Sequence, residues 1–237
     1  MFTPANITKN QPNTNDRPYA GWGYFSSAII VHNVNRIDTL ECTIGVVGKH
    51  SYAESTQKFV HKTINSPQPH GWNKQLSDEL GIILGYNRSK VHNLNKIGPF
   101  ETQFITGSGF EVGNVFTNGK VNSMLRIGWD LPFDYGVPRI SPAAPGSIYF
   151  NYSKNLNIYF FIGAEGKLVL RNIFLDGNSF RSSPRVRKKL GVGELETGVT
   201  IKYRKLNLSY SHVYITKEFK TQRSKDSFGS LSLSIMI

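Results

Sequence analysis

Apolar and polar residues alternate with period two over long windows of this chain, the pattern of strands with one apolar and one polar face. At the C-terminal end Leu231, Leu233, Ile235 and Ile237 fall on one face, and Ser230, Ser232 and Ser234 on the other. Val121, Leu125, Ile127, Trp129 and Leu131 share a face, with Asn122, Arg126 and Asp130 opposite. Val199, Ile201 and Tyr203 stand likewise against Thr200, Lys202 and Arg204. The pattern predicts about nine strands, near 19–33, 36–48, 80–92, 99–116, 119–132, 155–175, 193–205, 206–218 and 227–237. Most run past ten residues, whereas strands of soluble proteins cluster near ~5–6 and a tilted membrane-spanning strand needs ~9–11. The expected fold class is all-β, an antiparallel up-and-down transmembrane β-barrel, with a lipocalin-like soluble barrel as the alternative. Asn118-Gly119 and Lys205-Leu206 read as tight links, and 133–154 and 176–192 as long ones. One rim of short turns and one of long loops is the outer-membrane layout.

One stretch breaks the β pattern. From Tyr52 to Ile64 apolar and amide side chains recur at Ala53, Gln57, Val60, His61 and Ile64, which places them on one face of a short inserted helix. Pro67 and Pro69 end it, because proline cannot continue the hydrogen-bond ladder. The barrel wall or lumen is the expected place for its packing.

Charge narrows the partners. Among 237 residues, 28 Lys and Arg against 16 Asp and Glu leave a formal charge of +12. Such a balance suits nucleic acid, anionic lipid headgroups or lipopolysaccharide phosphates, without choosing among them. The single Cys42 excludes an internal disulfide and a thiolate zinc site. No apolar run is long enough for a spanning helix. The residues Met1-Phe2-Thr3-Pro4-Ala5-Asn6 lack the features of a secretory signal. Taken literally this is a cytoplasmic chain; the long strands favour instead a mature or truncated product.

Candidate chemistry is sparse. His61 is the foremost general base, since imidazole titrates near neutrality and Gln57 lies one turn earlier, although a lone helical histidine is more often structural. His32, His50, His70, His92 and His212 show no metal-ligand spacing. Gly107-Ser108-Gly109 lacks the strand–turn–helix context of a nucleophile elbow and is assigned to the sheet. Asp176-Gly177-Asn178 reads as loop punctuation rather than a calcium turn. The run Arg181, Arg185, Arg187, Lys188 and Lys189 is either a solvated loop or a surface for lipopolysaccharide phosphates, which Arg forks bind through two oxygens.

Four separated strings occur in a telling order. They are Phe2-Thr3-Pro4 followed by Asp16-Arg17-Pro18-Tyr19-Ala20-Gly21-Trp22; Leu40-Glu41 through Gly45-Val46-Val47-Gly48; Gln57 with His61, then Gly71-Trp72 and Gln75-Leu76; and Asn172-Ile173-Phe174-Leu175-Asp176-Gly177-Asn178. With Gly113-Asn114-Val115-Phe116 and Glu218-Phe219, the chain resembles the LpxR-type lipid A deacylase family of Gram-negative outer membranes. The resemblance implies a twelve-stranded outer-membrane barrel that hydrolyses the 3′-linked acyloxyacyl ester of lipid A with calcium. On it, His61 is the base, Gln57 contacts substrate, and Lys9 falls where the family has a functional lysine, to hold a lipid A phosphate or support the oxyanion. A solvated loop lysine is the equal alternative for Lys9.

The departures from the family shape the expectation. Phe2-Thr3-Pro4 corresponds to the end of the family's third strand, so residues 1–237 read as a single barrel domain lacking about three N-terminal strands. Those strands include the Asn-Asp pair tied to calcium and a Tyr-Thr-x-Gly motif; the metal ligands are therefore unknown. The family acid after the histidine is unmatched, with Pro67 and Gln68 in its place and Glu54 or Glu79 as substitutes. The expected function is lipid A 3′-O-deacylation if the chain is complete upstream; the alternative is a non-catalytic barrel of the same family that binds lipopolysaccharide. Partners are lipid A and the membrane, with no obligate protein partner. A soluble basic barrel for nucleic acid would interleave surface aromatics with Lys and Arg, and the long strands argue against it.

Overall fold

The computed structural model describes residues 1–94, 96–132, 134–135 and 152–235. Nine strands form one antiparallel sheet in sequence order: β1 (Trp22–His32), β2 (Arg36–Val47), β3 (Glu79–Asn93), β4 (Glu101–Gly113), β5 (Phe116–Trp129), β6 (Ser153–Asn172), β7 (Gly191–Arg204), β8 (Leu206–Ile215) and β9 (Asp226–Ile235). The sheet curls into a partial barrel whose edges are β1 and β9. Helix α1 (Ala53–Thr63) lies in the β2–β3 crossover, and a single helical turn, α2 (Ile173–Asp176), follows β6.

The wall is built inside out. On β6 Ile158, Phe160, Ile162, Leu168 and Leu170 are exposed, while the intervening Asn157, Tyr159, Phe161, Glu165 and Val169 are buried on the concave side. On β7 Thr200 and Lys202 are buried and Ile201 and Tyr203 exposed. Successive strand residues point to opposite faces, so the apolar row meets the surroundings and the charged row fills the interior.

Those interior charges are matched within a strand, across neighbouring strands and to the connection after β5. Glu111 accepts from Asn118 Nδ2 at 2.9 Å and Lys120 Nζ at 3.0 Å. Lys167 Nζ bridges Glu165 at 3.1 Å and Glu194 at 2.6 Å. Arg126, wholly buried, lies over the Tyr159 ring, holds Asp134 at 2.5 Å and donates Nε–H to Gln103 at 2.8 Å. Asp134 and Tyr135 therefore bring the start of the β5–β6 connection into the lumen, where the Tyr135 hydroxyl donates to the Asn33 carbonyl of the β1–β2 turn.

The rims differ. One carries residues 1–21, the 48–78 crossover, the 114–115 turn and the connections 173–190 and 216–225; at the other lie 33–35, residue 205, and the described ends of the β3–β4 and β5–β6 connections. Long excursions thus predominate on the first, which is the outward rim in an outer-membrane barrel. Three expectations change here. The β4–β5 turn falls at Asn114-Val115 and not Asn118-Gly119, which lies inside β5, because the Asn114 side chain accepts from Ile82 N–H at 2.8 Å and donates to the Leu80 carbonyl at 2.7 Å. The strand expected over 155–175 ends at Asn172, whose Oδ1 caps α2 by accepting from Phe174 N–H at 3.1 Å. The two long connections lie on opposite rims, since the strands alternate in direction; residues 133 and 136–151 of the first lie outside the described residues.

The outward face of β6 yields a prediction. Phe160→Arg, at a position 64% exposed, should cost about 2–4 kcal/mol if the residue lies near the bilayer midplane. Urea titration of barrels folded into phosphocholine bilayers measures it; an unchanged midpoint would remove Phe160 from the lipid face.

Candidate functional site

The crossover between β2 and β3 leaves the wall at Gly48, whose φ of +103° suits glycine and whose hypothetical Cβ would lie 2.8 Å from Asp78 Cα. The two ends of the excursion are thereby held together. Asp78 also accepts from His50 N–H at 2.9 Å and pairs with the His50 ring at 2.8 Å. Burial acts to raise the Asp78 carboxyl; the His50 backbone and ring bonds overcome it and hold the group below the usual carboxylate range.

Helix α1 packs at the rim, not in the lumen. Ala53 joins Tyr19 and Trp72 in a buried cluster with Ile7 against it. The buried Gln57 accepts at Oε1 from Trp72 Nε1–H at 2.8 Å. Gly71 brings the 67–72 stretch against Tyr19, since a Cβ there would meet the Tyr19 ring at 2.4 Å. Tyr19 in turn donates its hydroxyl to the Ile7 carbonyl at 3.0 Å, and His70 N–H donates to the same carbonyl at 2.9 Å. The amphipathic face is narrower than the spacing implies: Phe59, Val60 and Ile64 are exposed around His61.

His61 stands on the last turn of α1 with Nδ1 2.6 Å from the Pro67 carbonyl oxygen. A carbonyl only accepts, so Nδ1 carries the proton and Nε2 of the neutral ring keeps its lone pair. That is the tautomer a general base requires. Gln57 and His61 thus both contact the 67–72 stretch, Gln57 through a structural bond. Lys9 lines a polar cleft of about 510 Å³ with Asn13, Asn15, Asp16, Arg223 and Asp226. The neighbouring Thr8 carbonyl lies 3.1 Å from His70 Nδ1, so the Lys9 segment borders the stretch that holds His61.

The candidate acids do not reach the histidine. Glu54 is paired with Lys58 at 2.6 Å. Glu79 accepts from Asn114, Asn178 and the backbone and hydroxyl of Ser179, tying the 173–190 connection to β3. Asp176 is held by Lys188 at 2.8 Å. Among the described residues no three His, Cys, Asp or Glu side chains gather as a metal cage. The Pro67 carbonyl and the Trp72–Gln57 bond escape sequence reasoning, one being backbone and the other a tertiary contact; the Gly71-Trp72 string is the only trace of them.

An apolar exterior, a charged interior and unequal rims define a β-barrel of the outer-membrane class. A family model described as "Outer membrane protein LpxR" matches residues 1–237, and the chain belongs to that family. Among curated proteins no sequence matches. Among solved structures, LpxR from Salmonella typhimurium superposes with a TM-score of 0.84 at 20% identity, over 100% of this chain and 80% of that one, a likeness of fold. The chain is thus an outer-membrane protein.

Two outcomes follow. Gln57→Ala strands the buried Trp72 N–H and should cost about 1–3 kcal/mol, read as a lower denaturant midpoint for protease protection of α1. Because the Asp78 pKa is depressed on folding, the stability it supplies is complete above the ordinary carboxylate value of 3.8 and is lost as pH falls through the folded value. Amide exchange in 48–78 should accelerate across that acid window in the parent and show less pH dependence there in Asp78→Asn.

Proposed function

We propose that this protein is an esterase of the Gram-negative outer membrane that hydrolyses the 3′-linked acyloxyacyl group of lipid A. The observation that carries the reading is His61 held by the Pro67 carbonyl with Nε2 free, bordered by exposed Phe59, Val60 and Ile64, an apolar surface suited to acyl chains. Nε2 takes a proton from water as the water oxygen attacks the ester carbonyl. Collapse of the tetrahedral intermediate returns the proton to the leaving alkoxide, giving a carboxylate and an alcohol after ionisation. A neutral carbonyl orients the ring without the negative charge that a carboxylate partner would place beside it. Gln57 acts through Trp72 to seat α1, and substrate contact by Gln57 remains part of the family resemblance. Lys9, in a cleft shared with Arg223, suits a sugar phosphate better than the oxyanion.

Calcium belongs to this reading by family resemblance alone. The residues described do not fit a calcium cage, since the nearby carboxylates are already engaged, and no step is routed through the ion. The reading takes the chain as one barrel domain in which about three further strands close the ring between β9 and β1; unpaired strand edges in hydrocarbon cost several kcal/mol per group and support it.

A second reading, a non-catalytic barrel that binds lipopolysaccharide, draws on the absence of a carboxylate partner for His61 among the described residues. One experiment separates them. In the full-length protein His61→Ala should lower lipid A deacylation by about 100-fold or more while leaving heat-modifiable gel mobility intact. Retained activity would sink His61 as the base, and an inactive parent would favour the non-catalytic barrel.

A further inference from the structure

The basic run that this function leaves unused meets a second basic connection on the long-loop rim. Residues 187–189 and 218–220 pair as a short antiparallel ribbon. Lys188 bridges to Phe219, Lys189 N–H donates to the Glu218 carbonyl at 2.7 Å, and Lys220 N–H donates to the Arg187 carbonyl at 2.9 Å. Phe219 is buried, and Gln222 Oε1 accepts from Glu218 N–H at 2.7 Å, so the ribbon is anchored.

Its charge is lopsided. Connections 173–190 and 216–225 hold nine Lys and Arg against two carboxylates, Asp176 and Glu218. Asp176 is taken by Lys188 and Glu218 by Arg17, while Asp226 opens β9 beyond Lys225. Arg185, Arg187, Lys189, Lys220, Arg223 and Lys225 are exposed and make no ion pair among the described residues. The register sets Arg187 directly across from Lys220. Like charges so opposed repel, and an anion between them removes the repulsion.

The apolar exterior runs up to this ribbon. Leu168 and Leu170 face outward on β6, Val169 N–H between them donates to the Leu190 carbonyl at 2.7 Å, and Leu190 and Phe180 are themselves exposed, Phe180 by 86%. Cations that begin where an apolar band ends stand at headgroup depth. The geometry points to a phosphate-binding surface: the ribbon around Arg185, Arg187 and Lys220 takes the phosphoryl groups of membrane glycolipid whose acyl chains lie along β6. Arg forks match two phosphate oxygens at once. The surface belongs to different connections from His61 and rests on the outer-membrane placement, not on ester hydrolysis.

The test uses full-length protein carrying His61→Ala, folded in detergent micelles, so that binding is read without turnover. It is titrated with bisphosphorylated lipid A, with the same lipid after removal of its phosphates, and with inorganic phosphate. Adding Arg185→Gln, Arg187→Gln and Lys220→Gln together should weaken the bisphosphorylated lipid by about tenfold or more, flatten its salt dependence, and leave the dephosphorylated lipid unchanged. Heat-modifiable mobility checks folding, and Lys220→Gln alone gives the same direction at smaller size. Equal affinity of parent and variant, or an equal loss for the dephosphorylated lipid, overturns the proposal. Inorganic phosphate competing as strongly as the lipid would assign the surface to a free ion and overturn the lipid part. Loss of binding here says nothing about hydrolysis, and a wrong base at His61 leaves this result standing.

Discussion

A chain that crosses hydrocarbon must satisfy its backbone N–H and C=O groups by itself, and the nine-strand antiparallel ladder meets that constraint everywhere between its β1 and β9 edges. Once the ladder exists, its two-residue period dictates the rest. One row of side chains faces the lipid and must be apolar, as on β6; the other faces inward and is free to be charged. The interior then becomes a problem of charge matching, solved strand by strand through Glu111 with Lys120, Lys167 with two glutamates, and Arg126 with Asp134. Removing one member of such a pair leaves the other buried and uncompensated.

The wall is interrupted where the chain leaves the ladder at Gly48 and rejoins it at Glu79, and His61 sits on the helix of that excursion. Local packing makes that excursion rigid: Trp72 against Gln57 and Tyr19, and Asp78 against His50. The orientation of His61 follows from the same fold-back, since the chain that turns after α1 delivers the Pro67 carbonyl to its ring.

How much of this is visible in the sequence depends on how local the cause is. The period-two rows of β5, β7 and β9 are local, and their strands fall within a few residues of expectation. The Asn118-Gly119 pair misleads because a hairpin preference yields to Asn114, whose side chain bonds to β3 some thirty residues away. Ile173-Phe174-Leu175 reads as strand because a fully apolar run has no period to distinguish a buried helical turn. At the site, the helix and its histidine are legible, whereas the carbonyl that fixes the tautomer is not. The opposition of Arg187 and Lys220 depends on two connections meeting, which neither segment encodes alone.

The N-terminal segment carries a consequence for how the barrel is assembled. Phe2 stacks on Phe174 at 3.9 Å, Arg17 pairs with Glu218, and the Thr221 hydroxyl donates to the Asn15 carbonyl, contacts that span up to 206 positions of sequence. Neighbouring hairpins form from residues close in the chain, whereas the Arg17–Glu218 and Thr221–Asn15 contacts need the β8–β9 connection beside the segment. The segment therefore works as a clasp that joins the 173–190 and 216–225 connections across one rim of the wall.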